Sequence, residues 1–250
     1  MSQYLVAIRH PGDFDPVNTG GEVRGAQLSN RRKAGAAFFI AEPHKKAKPG
    51  QPPSNGGWPT NFKGDQMRKL IYAINITLDG CCDHTKQFVD EEKLEYFTHL
   101  MREVDLQVFG RKTYQLMVPY WPDVLKNQSE TKADTEFARA FDSINKIVFS
   151  QSLASAEARK SRIVRTNLRD EILRLKQEQG KNILVGGVDI PSQLIELGLV
   201  DEYRFVVGPI IAGEGRRLLE GVSLPEKLQL KLVESKIFKS GSVALRYLKQ

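Results

Sequence analysis

The stretch "QVFGRKTYQLM", Gln107 to Met117, decides how this chain is read. It ends an apolar run, Val104 to Phe109, at Gly110, and Arg111, Lys112 and Thr113 follow before a helical pattern begins. A helix that starts directly after a strand leaves its first backbone N–H groups without intrahelical partners. Two cations and a hydroxyl at that point have two explanations. One is a solvated turn. The other is a phosphate site, in which the helix end supplies N–H groups and a positive dipole, arginine a two-pronged donor and threonine a hydroxyl.

Two further junctions share this character. In "IVFSQSL" the strand closes at Ser150, and in "ILVGGVDIPSQL" Gly186 and Gly187 join a strand to a helix. Paired glycines allow a backbone to approach a pyrophosphate closely. In open α/β sheets, ligands bind outside the carboxyl ends of the strands. Each junction taken alone is also explained by an ordinary turn. The three together, each ending a strand, favour a dinucleotide. The usual G-x-G-x-x-G fingerprint is absent after the first strand, and "GEGRRLLEG" (213–221 with the preceding alanine excluded) reads as a loop with a short helical turn.

Outward from these junctions, strand and helix signals alternate from Met67 onward. Strands are expected at Leu70–Ile76, Val104–Phe109, Lys146–Ser150, Arg162–Arg165, Asn182–Val185, Tyr203–Gly208, Leu228–Ile237 and Ser242–Leu248. Helices are expected at Glu91–Met101, with Leu94, Phe97, Leu100 and Met101 on one face, and at Asn167–Gln179, with Asn167 as cap. A shorter helix over Ile190–Leu197 would start at Asp189, with Pro191 in its first turn. A short helix after "GRKTY" would end before "VPYWPD", whose Tyr120 and Trp121 serve either as a hydrophobic plug over the sheet or as a stack for a flat ring. The alternation predicts an α/β sandwich with a mostly parallel sheet. The last two strands, joined through "SGS", form a hairpin and make the sheet mixed.

The chain divides near Gln66. Residues 46–66 are rich in Pro and Gly and read as a linker; residues 1–45 read as a strand–helix–strand segment too small to bury a core alone. The full chain of 250 residues carries a net charge of +7, and residues 1–66 contribute +4 of it, with 9 of the 37 Lys+Arg and 5 of the 30 Asp+Glu. The remainder lacks the basic stripe of a nucleic-acid binder. No apolar stretch is long enough to span a bilayer, and the N-terminus lacks a signal-peptide pattern, so the expected compartment is the cytoplasm. Two adjacent cysteines, Cys81 and Cys82, read as free thiols, and His10, His44, His84 and His99 show no metal-ligand spacing. No metal site is expected.

Residues 67–250 resemble the dihydrofolate reductase-like superfamily, in particular the family of the C-terminal reductase domain of riboflavin biosynthesis. The resemblance is carried by "INITLDG", "FGRKTY", "IVFSQSL", "ILVGGVD", "GLVDEYRFVVGPIIAGEGRRLLEG" and the closing "VALRYL". The opening strand and "AGAAFF" resemble the start of the YCII-related (DGPF) family over about the first 45 residues, with no catalytic role carried over. For residues 67–250 the resemblance implies a three-layer sandwich and an NADPH-dependent reductase acting on a small nitrogen heterocycle, pteridine- or pyrimidine-like.

The resemblance also implies roles for single residues. Arg111 would meet the 2′-phosphate of NADPH and Thr113 the pyrophosphate, next to Gly110; Ser150 would lie by the adenosine phosphate. Gly186 and Gly187 would line the pyrophosphate and nicotinamide side through an unusual peptide bond between them. Lys112 either adds charge at the adenosine end or is simply solvated. Lys93 falls where folate reductases carry an acid, with Glu92 one residue away, so dihydrofolate itself is a doubtful substrate. Asp79, in the "LDG" turn, is the candidate catalytic group at the substrate end; an Asp-Gly turn also explains it. The resemblance implies a homodimer paired through sheet edges and late strands.

Overall fold

The computed structural model describes residues 67–126, 131–156, 158, 160–224 and 226–250. The strand–helix–strand segment and the linker expected within residues 1–66 lie outside the described residues.

Among the described residues eight strands form one sheet: β1 (Leu70–Thr77), β2 (Val104–Gly110), β3 (Asn145–Phe149), β4 (Ser161–Val164), β5 (Asn182–Val185), β6 (Glu202–Gly208), β7 (Leu230–Ile237) and β8 (Val243–Lys249). Their order is β4-β3-β2-β5-β1-β6-β8-β7. The first six are parallel, with Leu70 opposite Ile183 and Ile71 opposite Glu202 on the two sides of β1. The hairpin of β7 and β8 adds the antiparallel edge, with Tyr203 opposite Tyr247. The strands expected from Met67 onward are all present, and the sheet is mixed and mostly parallel.

Helices cover both faces. A strand's side chains alternate between faces, and β1 shows the division. Ile71 and Ala73 join a core with Phe97, Phe109, Trp121, Phe137 and Phe141, beneath α1 (Glu91–Arg102), α2 (Arg111–Lys126) and α3 (Lys132–Ser143). Leu70, Tyr72 and Ile74 join the opposite core with Ile172, Leu175, Leu194 and Ile195, beneath α4 (Leu168–Gln177) and α5 (Asp189–Glu196). Burial on both faces is why the central parallel strands read as continuous apolar runs. None of the described helices is long and apolar enough to cross a membrane.

Three helices differ from expectation. α2 does not stop before "VPYWPD"; it runs through Pro119 and Pro122 to Lys126. Proline inside a helix removes an N–H and crowds the preceding turn. Here Met117, Val118, Trp121 and Val124 are all buried along the same helix, so tertiary packing outweighs that local cost. Trp121 is 1% exposed and its ring centroid lies 4.4 Å from that of Phe137, so it is the plug rather than a stacking platform. α3 has no counterpart in the sequence reading. Its start is a capping box between Thr131 and Asp134, and its buried face is Phe137, Ala138 and Phe141. Asn167 caps α4 as expected, accepting the Asp170 N–H at 3.3 Å. Asp189, by contrast, is the first residue of α5 and not its cap. The cap is Val188, which makes no side-chain hydrogen bond.

Candidate functional site

The strand order sets the carboxyl ends of β3, β2, β5, β1 and β6 side by side. Above β2 and β5 lies a cleft of about 480 Å³ lined by Gly110, Arg111, Lys112, Thr113, Phe149, Gly186, Val188, Asp189, Ile190 and Arg216. The two helices that start there, α2 and α5, bring their N-termini to it.

The two starts are unusual in complementary ways. α2 begins at Arg111 immediately after the last residue of β2 and has no acidic residue in its first turn. It has Arg111 and Lys112 there instead, both exposed. Cations at the positive end of a helix dipole are unfavourable by about 0.3–1 kcal/mol each. The cap residue of α5, Val188, offers no side-chain hydrogen bond to the leading N–H groups. Locally costly charges beside an uncapped helix start are the composition of an anion site. Gly110 is held close to α5: a Cβ there would lie 3.2 Å from Ile190 Cγ1.

The cleft brings together four of the residues singled out by sequence: Gly110, Arg111, Thr113 and Gly186. Lys112 joins them. Ser150 and Gly187 are neighbours of the lining rather than part of it. The Ser150 hydroxyl accepts the N–H groups of Leu153 at 2.9 Å and Ser152 at 3.3 Å, and so shapes the turn after β3. The Gly187 carbonyl accepts the Tyr72 hydroxyl at 3.0 Å. The unusual peptide bond expected between Gly186 and Gly187 is not found. No described peptide bond is cis, and the departure from ordinary backbone is the φ of +85° at Gly187 itself. Torsional freedom at one glycine is enough to make the turn.

Asp79 follows β1 and faces the loop after β6. Its carboxylate accepts the Thr77 hydroxyl at 2.5 Å and the N–H groups of Gly213 and Ala212 at 2.9 and 3.1 Å. Arg217 pairs with it at 2.6 Å. The Thr77 hydroxyl, Arg217 and the loop N–H groups hold its carboxyl far below the usual aspartate range. At neutral pH this group is an anchor for the loop and has no proton to give. Asp79→Asn should therefore speed hydrogen exchange at the Ala212 and Gly213 amides while leaving amides of β1 protected. Unchanged exchange at those two amides would remove the anchor role.

The two residues of the first helix at the folate-reductase acid position, Lys93 and Glu92, are both engaged by neighbours. Lys93 is 1% exposed. Its ammonium donates to the Phe88 carbonyl at 2.9 Å and lies 3.7 Å from the Phe88 ring centroid. Burial pulls its pKa down. Glu92 accepts the Lys239 N–H at 2.6 Å. No group of three or more metal-ligating side chains occurs among the described residues.

Sequence reasoning missed Arg216 and Asp189 as partners in the cleft, where Arg216 Nη1 lies 2.6 Å from Asp189 Oδ1. Asp189 opens α5 after β5 and Arg216 lies in the loop after β6, strands on either side of β1, and only the strand order unites them.

Residues 68–244 match the family profile described as RibD C-terminal domain. Among curated proteins, the chain is 28% identical over 186 residues to the uncharacterized protein YyaP of Bacillus subtilis, covering 73% of this chain and 95% of that one. Among solved structures, a putative riboflavin biosynthesis protein from Shewanella superposes with a TM-score of 0.55 at 19% identity, covering 73% of this chain and 99% of that one. Dihydrofolate reductase from Enterococcus faecalis, solved with NADP(H), superposes with a TM-score of 0.50 at 12% identity, covering 73% and 96%. The architecture is thus dihydrofolate reductase-like.

Proposed function

Because the chain belongs to the RibD C-terminal domain family, we propose that it is an NADPH-dependent reductase of a small nitrogen heterocycle, pteridine- or pyrimidine-like. The observation that carries this reading is the cleft at the carboxyl ends of β2 and β5, where Arg111, Lys112 and an uncapped helix start face one space. The donor set fits a phosphorylated dinucleotide. Arg111, with Lys112 beside it, takes the 2′-phosphate. Thr113 and the leading N–H groups of α5 take the pyrophosphate. Gly110 and Gly186 leave room for the backbone to approach, and Ser150 and Gly187 fix the walls. NADPH, when bound, supplies the hydride that reduces a C=N or C=O bond of the substrate. Asp79 acts in this scheme by fixing the loop after β6 at the substrate end.

A homodimer belongs to the same reading. Among the described residues β7 has strand β8 as its partner and leaves Leu232, Val233 and Ile237 exposed. An edge strand with exposed apolar side chains is suited to pairing with a second copy.

A second reading is a nucleotide-binding protein without turnover. It is favoured by the engagement of Asp79, whose carboxylate is saturated with hydrogen bonds and ionised. One assay separates the two: NADPH oxidation measured against a panel of pterins and pyrimidines, with dihydrofolate included. Turnover with one class of ring is the expected result. Tight NADPH binding with no turnover across the panel supports the second reading, and absence of NADPH binding removes both.

A further inference from the structure

The cleft has a second wall. It is built by the loop that follows β6, and its contribution to the lining is Arg216. The backbone of this loop is tied down around that residue. Cys82 N–H donates to the Arg216 carbonyl at 2.9 Å, and Leu218 N–H donates to the Gly80 carbonyl at 2.8 Å. Cys81 and Arg217 form an antiparallel bridge, and the Arg217 side chain is held on Asp79 at 2.6 Å. Gly215 has a φ of +94°, and a Cβ there would lie 2.7 Å from Cys81 Sγ, so the loop approaches this closely only with glycine at that position. With its base fixed, Arg216 is free to move only in its side chain, which is 38% exposed and rests on Asp189.

Asp189 is an odd neighbour for a phosphate. It stands in the first turn of α5, where its negative charge lies close to any anion that binds the leading N–H groups. The lining therefore holds three cations, Arg111, Lys112 and Arg216, and one carboxylate that neutralises one of them. We propose that Arg216 is a phosphate ligand of the cleft, held by Asp189 in the empty protein and transferred from that carboxylate to the pyrophosphate of the bound dinucleotide. The proposal rests on the dinucleotide reading of the cleft. Its physical content is an exchange between two anions for one guanidinium, with no change in the loop backbone. Asp189 keeps the guanidinium aimed across the cleft and lowers net affinity by competing for it.

The exchange makes a prediction of opposite signs. If the pair is only a strut for the loop, removing either partner breaks the same contact, and both substitutions weaken binding. If Asp189 competes with the ligand, Arg216→Ala weakens NADPH binding by about 10-fold or more, whereas Asp189→Asn tightens it. The gain from Asp189→Asn is lost when Arg216→Ala is already present. NADH shares the pyrophosphate and follows the same pattern. Calorimetric titration of the full chain and the three variants with NADPH, NADH and inorganic pyrophosphate tests this. Pyrophosphate binding that responds with opposite signs in a chain indifferent to NADPH leaves the exchange standing and removes the cofactor reading. Changes of the same sign for the two single variants, or no change with any of the three probes, overturn the proposal.

Discussion

Arg111→Ala should weaken NADPH binding by about 10- to 150-fold, the equivalent of about 1.5–3 kcal/mol for hydrogen bonds to a charged group, and should leave NADH binding nearly unchanged. The difference between the two cofactors is one phosphate, so a residue assigned to that phosphate must discriminate between them. The argument for Arg111 is its cost. It opens α2 with Lys112 beside it and no acid in the first turn, which is the wrong charge for a helix N-terminus. It is exposed, so packing does not require it. Removing it should leave the free protein as stable as before, or slightly more so, and the loss of affinity then cannot be attributed to folding. Arg111→Lys keeps the charge but loses the two-pronged geometry and should fall between the two. Fluorescence titrations with both cofactors check this. Equal losses for NADPH and NADH would take the 2′-phosphate away from Arg111.

Set beside the proposal for Arg216, this prediction divides the expected roles in the cleft. Arg111 should separate NADPH from NADH, whereas Arg216 should treat them alike, because the pyrophosphate is the part they share. Neither prediction bears on the heterocycle.

What could be read in the sequence follows from how local each signal is. Asn182–Val185 was bounded correctly because a strand buried on both faces is an apolar run ended by glycines. Gly110, Arg111, Thr113 and Gly186 line one cleft because strand ends of a parallel sheet collect at one edge whatever the strand order. The extension of α2 through two prolines was illegible locally, since it depends on what Trp121 meets across the core. α3 was legible in principle: Thr131 and Asp134 form a capping signature, and Phe137 and Phe141 stand one turn apart. The role of Asp79 was not legible. An Asp-Gly pair predicts a turn, and only the tertiary structure shows that Ala212, Gly213 and Arg217 converge on its carboxylate. The same holds for Arg216 and Asp189, which the order β5-β1-β6 makes neighbours.

The opposite edge of the sheet should carry stability and no binding, and Glu202→Gln tests that separation. Glu202 opens β6 and is 1% exposed. It accepts Arg204 Nε at 2.7 Å and Arg246 Nε at 2.8 Å, tying β6 to β8. Arg204 in turn grips Glu103, the cap that follows α1, through both terminal nitrogens at 2.5 and 3.0 Å. Removing one charge from a buried, paired network leaves its partners uncompensated and costs about 3–5 kcal/mol. The midpoint of urea unfolding should fall with the slope unchanged. Burial by itself pushes the Glu202 carboxyl up, but the Arg246 hydrogen bond and the Arg204 charge outweigh it and hold it below its ordinary value. A carboxyl lowered in the folded state contributes stability above its unfolded pKa, about 4.3, and loses that contribution as pH falls through the folded value. The gap between wild type and variant should therefore be widest near neutral pH and close on acidification below about 4.3. β6 is seven residues long, so at about 3.3 Å per residue its two ends stand about 20 Å apart. At temperatures where the variant stays folded, its affinity for NADPH should equal that of wild type. A loss of NADPH affinity in the folded variant would mean that the two edges are coupled through β6, and the separation of stability from binding along the strands would not hold.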